Sequence, residues 1–208
     1  MFMAGEFLNF DTLAEDTIRT LEIPQPSFKK PLCIIFVGFP ASGKTTLTNK
    51  LRDRFPLAVF SEEVLTSFLS PRATLFHRDS VEVFKLASKI VEHLLKRGKS
   101  CIYDANIKTK EQRTLIKRIV QDNDGEFLLV YVNCSKETCY ERLQKHNLRV
   151  GRGESKGFIL DKDYFEYEVS STSLLSPDEQ YVNYNCENPE STYQVASLVE
   201  AKLKNQSK

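Results

Sequence analysis

The chain has 208 residues, enough for one domain with a sizeable core, and its 41% hydrophobic and 27% charged content is that of a soluble globular protein. A net charge of +1 gives no global field for nucleic acid or a membrane surface, so any anion site has to be built locally. No stretch approaches the length of a membrane span, and Glu6, Asp11 and Glu15 stand where a signal peptide would be basic and apolar; a cytoplasmic location with no membrane partner is expected. The five cysteines lack a C-x-x-C pair and read as reduced, mostly core residues, and His77, His93 and His146 lack the spacing of zinc ligands.

Residues 1–30 read as a helical appendage. Thr12-x-x-Glu15 is a capping box, Leu13, Ile18 and Leu21 fall on one side of a short helix, and Pro24 and Pro26 end it. The apolar run 32–37 then leads into Gly38-Phe39-Pro40-Ala41-Ser42-Gly43-Lys44-Thr45, and a helical pattern with Leu47, Leu51 and Phe55 follows. Strand, glycine loop and helix with G-x-x-x-x-G-K-[ST] spacing make a nucleotide-binding P-loop. Gly38 and Gly43 permit backbone angles and close approaches that bulkier residues forbid. Loop N–H groups and the helix dipole both favour phosphate oxygens. Gly38, Pro40, Ala41, Ser42, Gly43, Lys44, Thr45 and Thr46 are therefore the expected cofactor-binding residues, with Lys44 on the β/γ-phosphates and the Thr45 hydroxyl on Mg²⁺.

Leu57–Phe60 is a short second strand, and Ser61-Glu62-Glu63 opens a helix around Val64, Leu65 and Phe68. Residues 70–78 are irregular and hold Arg72, His77 and Arg78. Asp79 or Ser80 then caps a long helix whose apolar residues run from Val83 to Leu95, with Gly98 as its C-terminal stop. Cys101-Ile102-Tyr103 is a third strand ending at Asp104-Ala105-Asn106, and Thr109-x-x-Gln112 caps the next helix. Residues 127–132 carry the strongest strand signal, and Ser135 caps a helix towards Arg142 and Leu143. Residues 145–180 are polar and glycine-dotted, with a helix near 163–169. Tyr181–Tyr184 is a last strand, and Ser191-x-x-Gln194 caps a final helix.

Strands alternating with helices predict an α/β domain, a parallel sheet with helices on both faces, over 31–208. Ligands of such sheets sit outside the carboxyl ends of the strands. That rule gathers the P-loop, Glu62, Glu63, Asp104 and Asn106 onto one edge.

These features resemble P-loop kinases of the group that includes polynucleotide 5′-hydroxyl kinases, zeta toxins and small kinases. The resemblance rests on residues 38–46, on residues 95–106 with Arg113 following, and on an arginine-bearing segment near Arg149 and Arg152, and it runs from about residue 31 to the C-terminus. It implies a three-layer sandwich with a five-stranded parallel sheet in the order 2-3-1-4-5 and a helical or loop lid over about 145–175. It also implies transfer of the γ-phosphoryl of Mg-ATP to a hydroxyl or phosphate on a small molecule, a nucleotide or a nucleic-acid 5′ end. Lys44 and Asp104 would be catalytic, with Thr45 and Asp104 holding the metal, and Arg149 and Arg152 of the lid would close on the transferring charge. Asn106 and Arg113 would meet the acceptor. In this group an Asp after the second strand accepts the acceptor's proton, with an Arg three residues on; here the positions hold Glu62 and Leu65. Glu62, or Glu63 beside it, can serve as base, although the added methylene moves the carboxylate.

A GTPase switch fits less well. Asp122-Asn123-Asp124-Gly125 lies in a turn before the fourth strand, and no Asn-Lys-x-Asp follows a strand to read guanine. The departures at Glu62 and Leu65 leave an ATP-hydrolysing protein acting on a partner as the alternative.

Overall fold

β1 (Leu32–Val37) is buried along its whole length, and its side chains alternate between two cores. Cys33, Ile35 and Val37 pack into one apolar cluster; Leu32, Ile34 and Phe36 pack into another. A strand covered on both faces needs a helical layer on each side. In the computed structural model, which describes residues 9–69, 81–154, 159–173 and 175–204, the first layer is made by α1 (Phe10–Thr20), α4 (Val81–Lys96) and α5 (Lys110–Asp122), and the second by α2 (Lys44–Arg52) and α8 (Glu190–Lys204). Between them lie β1, β2 (Ala58–Ser61), β3 (Cys101–Asn106), β4 (Glu126–Asn133) and β5 (Val182–Asn185). All four pairings are parallel and the order is β2-β3-β1-β4-β5, the three-layer P-loop kinase arrangement that the resemblance implies. α3 (Glu62–Leu69) follows β2 directly, while α6 (Lys136–Gly151) and α7 (Lys162–Ser171) stand beyond the carboxyl edge of the sheet.

Local signals account for several boundaries. Thr109 and Gln112 form a reciprocal capping box on α5, and Ser135 Oγ accepts the Thr138 N–H at the start of α6. Gly98 ends α4 with φ +68°, its N–H donating to Leu95 O and the next N–H to Leu94 O. Two expected caps move. Asn9 Oδ1, not Thr12, caps α1 by accepting the Asp11 and Thr12 N–H groups. α8 starts at Glu190, which places Ser191 inside the helix, buried. α1 lies against α4, with Ala14 and Ile18 joining the core and His93 set between Asp11 Oδ1 (2.9 Å) and Glu15 Oε1 (2.6 Å). The expected cap at Asp79 or Ser80, and the irregular segment with Pro71, Arg72, His77 and Arg78, lie outside the described residues.

The cysteines correct one expectation. Cys33, Cys101 and Cys139 are free and buried, but Cys134 and Cys186 form a disulfide across a sequence separation of 52. The reason is topological. β4 and β5 are parallel neighbours, so the residues just past their ends meet, and the Cys186 N–H donates to Asn133 O at 3.0 Å. A loop of that size constrains the unfolded chain by about 4 kcal/mol in the chain-entropy description. Reduction with a phosphine, or Cys186→Ser, is expected to lower the urea-unfolding free energy by up to that amount, and iodoacetamide should label Cys134 and Cys186 only after reduction.

Candidate active site

The loop between β1 and α2 shows why its residues are what they are. A Cβ on Gly38 would stand 2.7 Å from the Val132 carbonyl oxygen of β4, so only glycine fits. Ala41 (φ 59°) and Gly43 (φ 109°) both take left-handed backbone angles, which turn the chain sharply before the helix. Gly43 caps α2 without a side-chain hydrogen bond, and the first turn of α2 holds no acidic residue. The N–H groups of that turn are thus left for an outside acceptor, at the positive end of the helix. Lys44 folds back over the loop, its Nζ donating to Gly38 O and Phe39 O at 2.8 Å each.

Strand register brings the acidic residues to this loop. Ser61 of β2 pairs with Asp104 of β3, so Glu62 begins α3 beside it. Between β3 and β1 the register jumps from Ile35↔Tyr103 to Phe36↔Asn106, leaving Asp104 and Ala105 as an irregularity at the strand end. Asp104 then reaches the Thr45 hydroxyl. Burial pushes its carboxyl above the usual range, against the pull of Thr45 and the Lys44 ammonium. The buried Thr48 hydroxyl lies on the same side without closing a hydrogen bond of normal geometry. Burial likewise holds Lys44 below its usual range, despite the carboxylates of Asp104, Glu62 and Glu168.

These groups line one cleft of about 660 Å³. Pro40 through Thr46, Lys50, Arg142 and His146 line its walls along with Glu62, Glu63, Asp104, Asn106 and Glu168. A smaller cavity of about 190 Å³ adjoins it between β3, α4, α5 and α7, and Glu62 and Asn106 line both. An uncapped helix start, a lysine over a glycine loop and an oxygen pair from Thr45 and Asp104 fit a nucleoside triphosphate with a hard divalent cation such as Mg²⁺.

Of the residues expected from sequence, Pro40 through Thr46 of the P-loop, Glu62, Glu63, Asp104 and Asn106 converge on this cleft, while Gly38 packs against Val132 of β4 outside its lining. Asn106 does so while already engaged: its Oδ1 accepts the Gly38 N–H (3.2 Å) and its Nδ2 donates to Thr172 Oγ1 (3.0 Å). Arg149 and Arg152 are not brought in. α6 continues to Gly151, both arginines are exposed, and Arg152 lies 3.9 Å from Glu154. Arg142 and His146, one turn apart, take the cleft position instead, and Arg142 Nη1 donates to Ser42 O at 3.4 Å. Arg149 is seven residues beyond Arg142, about 10 Å farther along the axis. The i, i+4 spacing of Arg142 and His146 after the Ser135 cap is the signal that points to them.

Arg113 is turned inward. It is 1% exposed, its Nε and Nη2 meet the two Glu179 oxygens at 2.6 and 2.8 Å, and Nη1 donates to Ile107 O and Lys108 O. That network closes the α7–β5 connection onto the start of α5.

Residues 33–156 match the model of a family described as an AAA domain. The chain belongs to that family. The protein named "Probable adenylyl-sulfate kinase" from Aeropyrum pernix is 24% identical over 163 residues, covering 76% of this chain and 89% of that protein. The crystal structure of APE1195 superposes with a TM-score of 0.66 at 22% identity, over 86% of this chain and 99% of that one. Chaetomium thermophilum Kti12 in complex with ADP-AlF3 superposes with a TM-score of 0.59 at 17% identity, over 82% and 98%. This AAA-domain chain thus has the P-loop kinase fold and kinase relatives.

Glu179 is held below the usual carboxylate range first of all by Arg113. A depressed carboxyl contributes stability that is present above its unfolded value and lost as pH falls through the folded one. Arg113→Met is expected to lower the unfolding free energy at pH 7 by about 3 kcal/mol, since Glu179 loses its partner. The loss should shrink on acidification. Urea titrations from pH 7 down to pH 3 check both points; a change in acceptor KM with unchanged stability would instead place Arg113 at the substrate.

Proposed function

We propose that the protein is an ATP-dependent phosphotransferase that moves the γ-phosphoryl of Mg-ATP to a hydroxyl acceptor. The observation that carries this reading is the shared wall. Glu62 lines both the phosphate cleft and the adjoining cavity, so one carboxylate faces a donor site and a separate acceptor site. A pure hydrolase needs only the first.

Backbone N–H groups of the α2 first turn bind the phosphates, and Lys44 swings from the loop carbonyls to the β/γ oxygens. Arg142, held at the Ser42 carbonyl, adds a second positive charge on the far side of the loop. Thr45 and Asp104 would hold a divalent ion, which would supply positive charge to offset that of the phosphates. Glu62 accepts the acceptor's hydroxyl proton as the oxygen attacks in line with the leaving ADP. Glu62 is preferred over Glu63 because Glu63 lines the phosphate cleft alone and is the more exposed of the two. ATP is the nucleotide supported by the kinase relatives and by the ADP-AlF3 bound to Kti12.

Incubation with γ-labelled ATP, Mg²⁺ and a broad pool of hydroxyl compounds and 5′-hydroxyl oligonucleotides is expected to label an acceptor, and excess EDTA to abolish the labelling. Label released only as inorganic phosphate would support an ATP-hydrolysing protein acting on a partner. Lys44→Ala should lower kcat/KM by about a hundredfold or more. Glu62→Gln should lower kcat by about a hundredfold with little change in ATP affinity; equal losses in both would make Glu62 a structural residue.

A further inference from the structure

The disulfide stands in the wall of the phosphate cleft. Cys186 lines the cleft, and Cys134 lies behind it in an apolar cluster with Cys139, Leu143 and Phe165. We infer that Cys134 and Cys186 form a reversible exchange site for small thiols of the glutathione class, and that its reduction weakens nucleotide binding by drawing Arg142 away from the P-loop; the inference rests on the nucleotide site of the kinase reading above. Three observations support it.

Access comes first. The two sulfurs are unequal: Cys134 is 7% exposed, whereas Cys186 is half-buried and borders the open cleft. A thiol arriving through the cleft meets the Cys186 sulfur, and Cys134 becomes the leaving group. Cys139 stays out of the exchange. It is fully buried, and burial pushes its thiol up against the pull of Lys44 and Arg142.

Charge comes second. Arg142 Nη1 donates to Ser42 O and to Cys134 Sγ, each at 3.4 Å, so one guanidinium nitrogen joins the disulfide to the P-loop. A disulfide sulfur is a weak, neutral acceptor, and beside it Arg142 keeps its charge for the cleft. A Cys134 thiolate is an anion in the same place. The guanidinium assists its departure and is then paired by it. Glu187 also brings a carboxylate oxygen within 4.8 Å of both sulfurs. That carboxylate is exposed and accepts the Thr138 hydroxyl, so water screens it, while Arg142 acts from the partly buried side.

Position is the third observation. The cross-link joins the ends of β4 and β5 against the loop, and Val132, two residues before Cys134, is the residue packed on Gly38. Opening the link frees the Cys186 side chain in the cleft wall, and the bond from the Cys186 N–H to Asn133 O (3.0 Å) is left to hold the start of the β5–α8 connection.

The step balances with two external thiols as reductant. One thiolate attacks Cys186 Sγ, the Sγ–Sγ bond breaks, and its electron pair leaves on Cys134, which pairs with Arg142. A second thiolate attacks the external sulfur of the mixed disulfide and releases Cys186, which takes a proton from water. Two external thiols become one disulfide as the protein disulfide becomes two thiol groups.

The test uses the full chain equilibrated in glutathione buffers from oxidising to reducing, at a temperature where circular dichroism shows the reduced chain folded. Affinity for a fluorescent ADP analogue with Mg²⁺ is read in each buffer. It should fall about tenfold or more on reduction, the scale of one charge-assisted hydrogen bond. By linkage, saturating ADP should move the reduction midpoint towards more reducing buffer by the same factor, about 30 mV for tenfold; this reading starts from the oxidised chain and needs no variant. Arg142→Met should bind more weakly when oxidised and lose most of the dependence on reduction. Brief exposure to glutathione should place the first adduct on Cys186 by peptide mass mapping. Equal affinities in the two states with no midpoint shift, full dependence retained in Arg142→Met, or a first adduct on Cys134 each overturn the inference and leave the kinase reading standing, with the disulfide a structural cross-link. No nucleotide binding in either state removes the nucleotide site of the kinase reading and this inference with it.

Discussion

One side chain holds the working edge of the sheet together. Asn106 ends β3, accepts the N–H of the first P-loop glycine and donates to the hydroxyl of Thr172 just past α7. Thr172 Oγ1 in turn donates to the Glu168 carbonyl. Phosphate loop, acidic strand end and closing helix are thereby fixed to a single buried amide. Such groups are costly to leave unpaired, so the three elements are ordered together or not at all. The cleft and the smaller cavity inherit their common wall from this point.

Charge is divided across that wall. Lys44 and Lys50 of α2 and Arg142 in the middle of α6 gather about the loop, where phosphates would lie, while Glu62, Glu63 and Asp104 sit at the ends of β2 and β3. Lys44 and Asp104 are each pushed towards the neutral form by burial, and each is partly restored by the other. A bound phosphate–metal pair resolves both costs, because it gives the ammonium an anion and the carboxylate a cation. The arrangement thus favours the loaded state over the empty one.

Sequence reading succeeded where the determinants are local. The P-loop is legible because its requirements, left-handed backbone at Gly43, close packing at Gly38 and an uncapped helix start, belong to consecutive residues. The acidic strand ends are legible through the rule that parallel sheets present ligand sites at their carboxyl edge. The lid arginines were less so. Glycines at 151 and 153 suggest a loop around Arg149 and Arg152, whereas the helix capped by Ser135 runs through to Gly151 and puts its middle turns, with Arg142 and His146, beside the loop. Arg113 looked like an acceptor contact because its partner Glu179 lies 66 residues away.

By itself, then, the sequence determined the α/β alternation, the phosphate-binding loop and the identity of the acids at the strand ends, since each follows from periodicity or from contiguous backbone chemistry. Tertiary structure alone decided which cations face the cleft, that Cys134 bonds to Cys186, that Arg113 is inside, and that Lys108 meets Glu168 in the wall of a second cavity. Those pairings join residues from separate strands and helices, and only the parallel register and the packing of α6 and α7 over the sheet edge bring them within bonding distance.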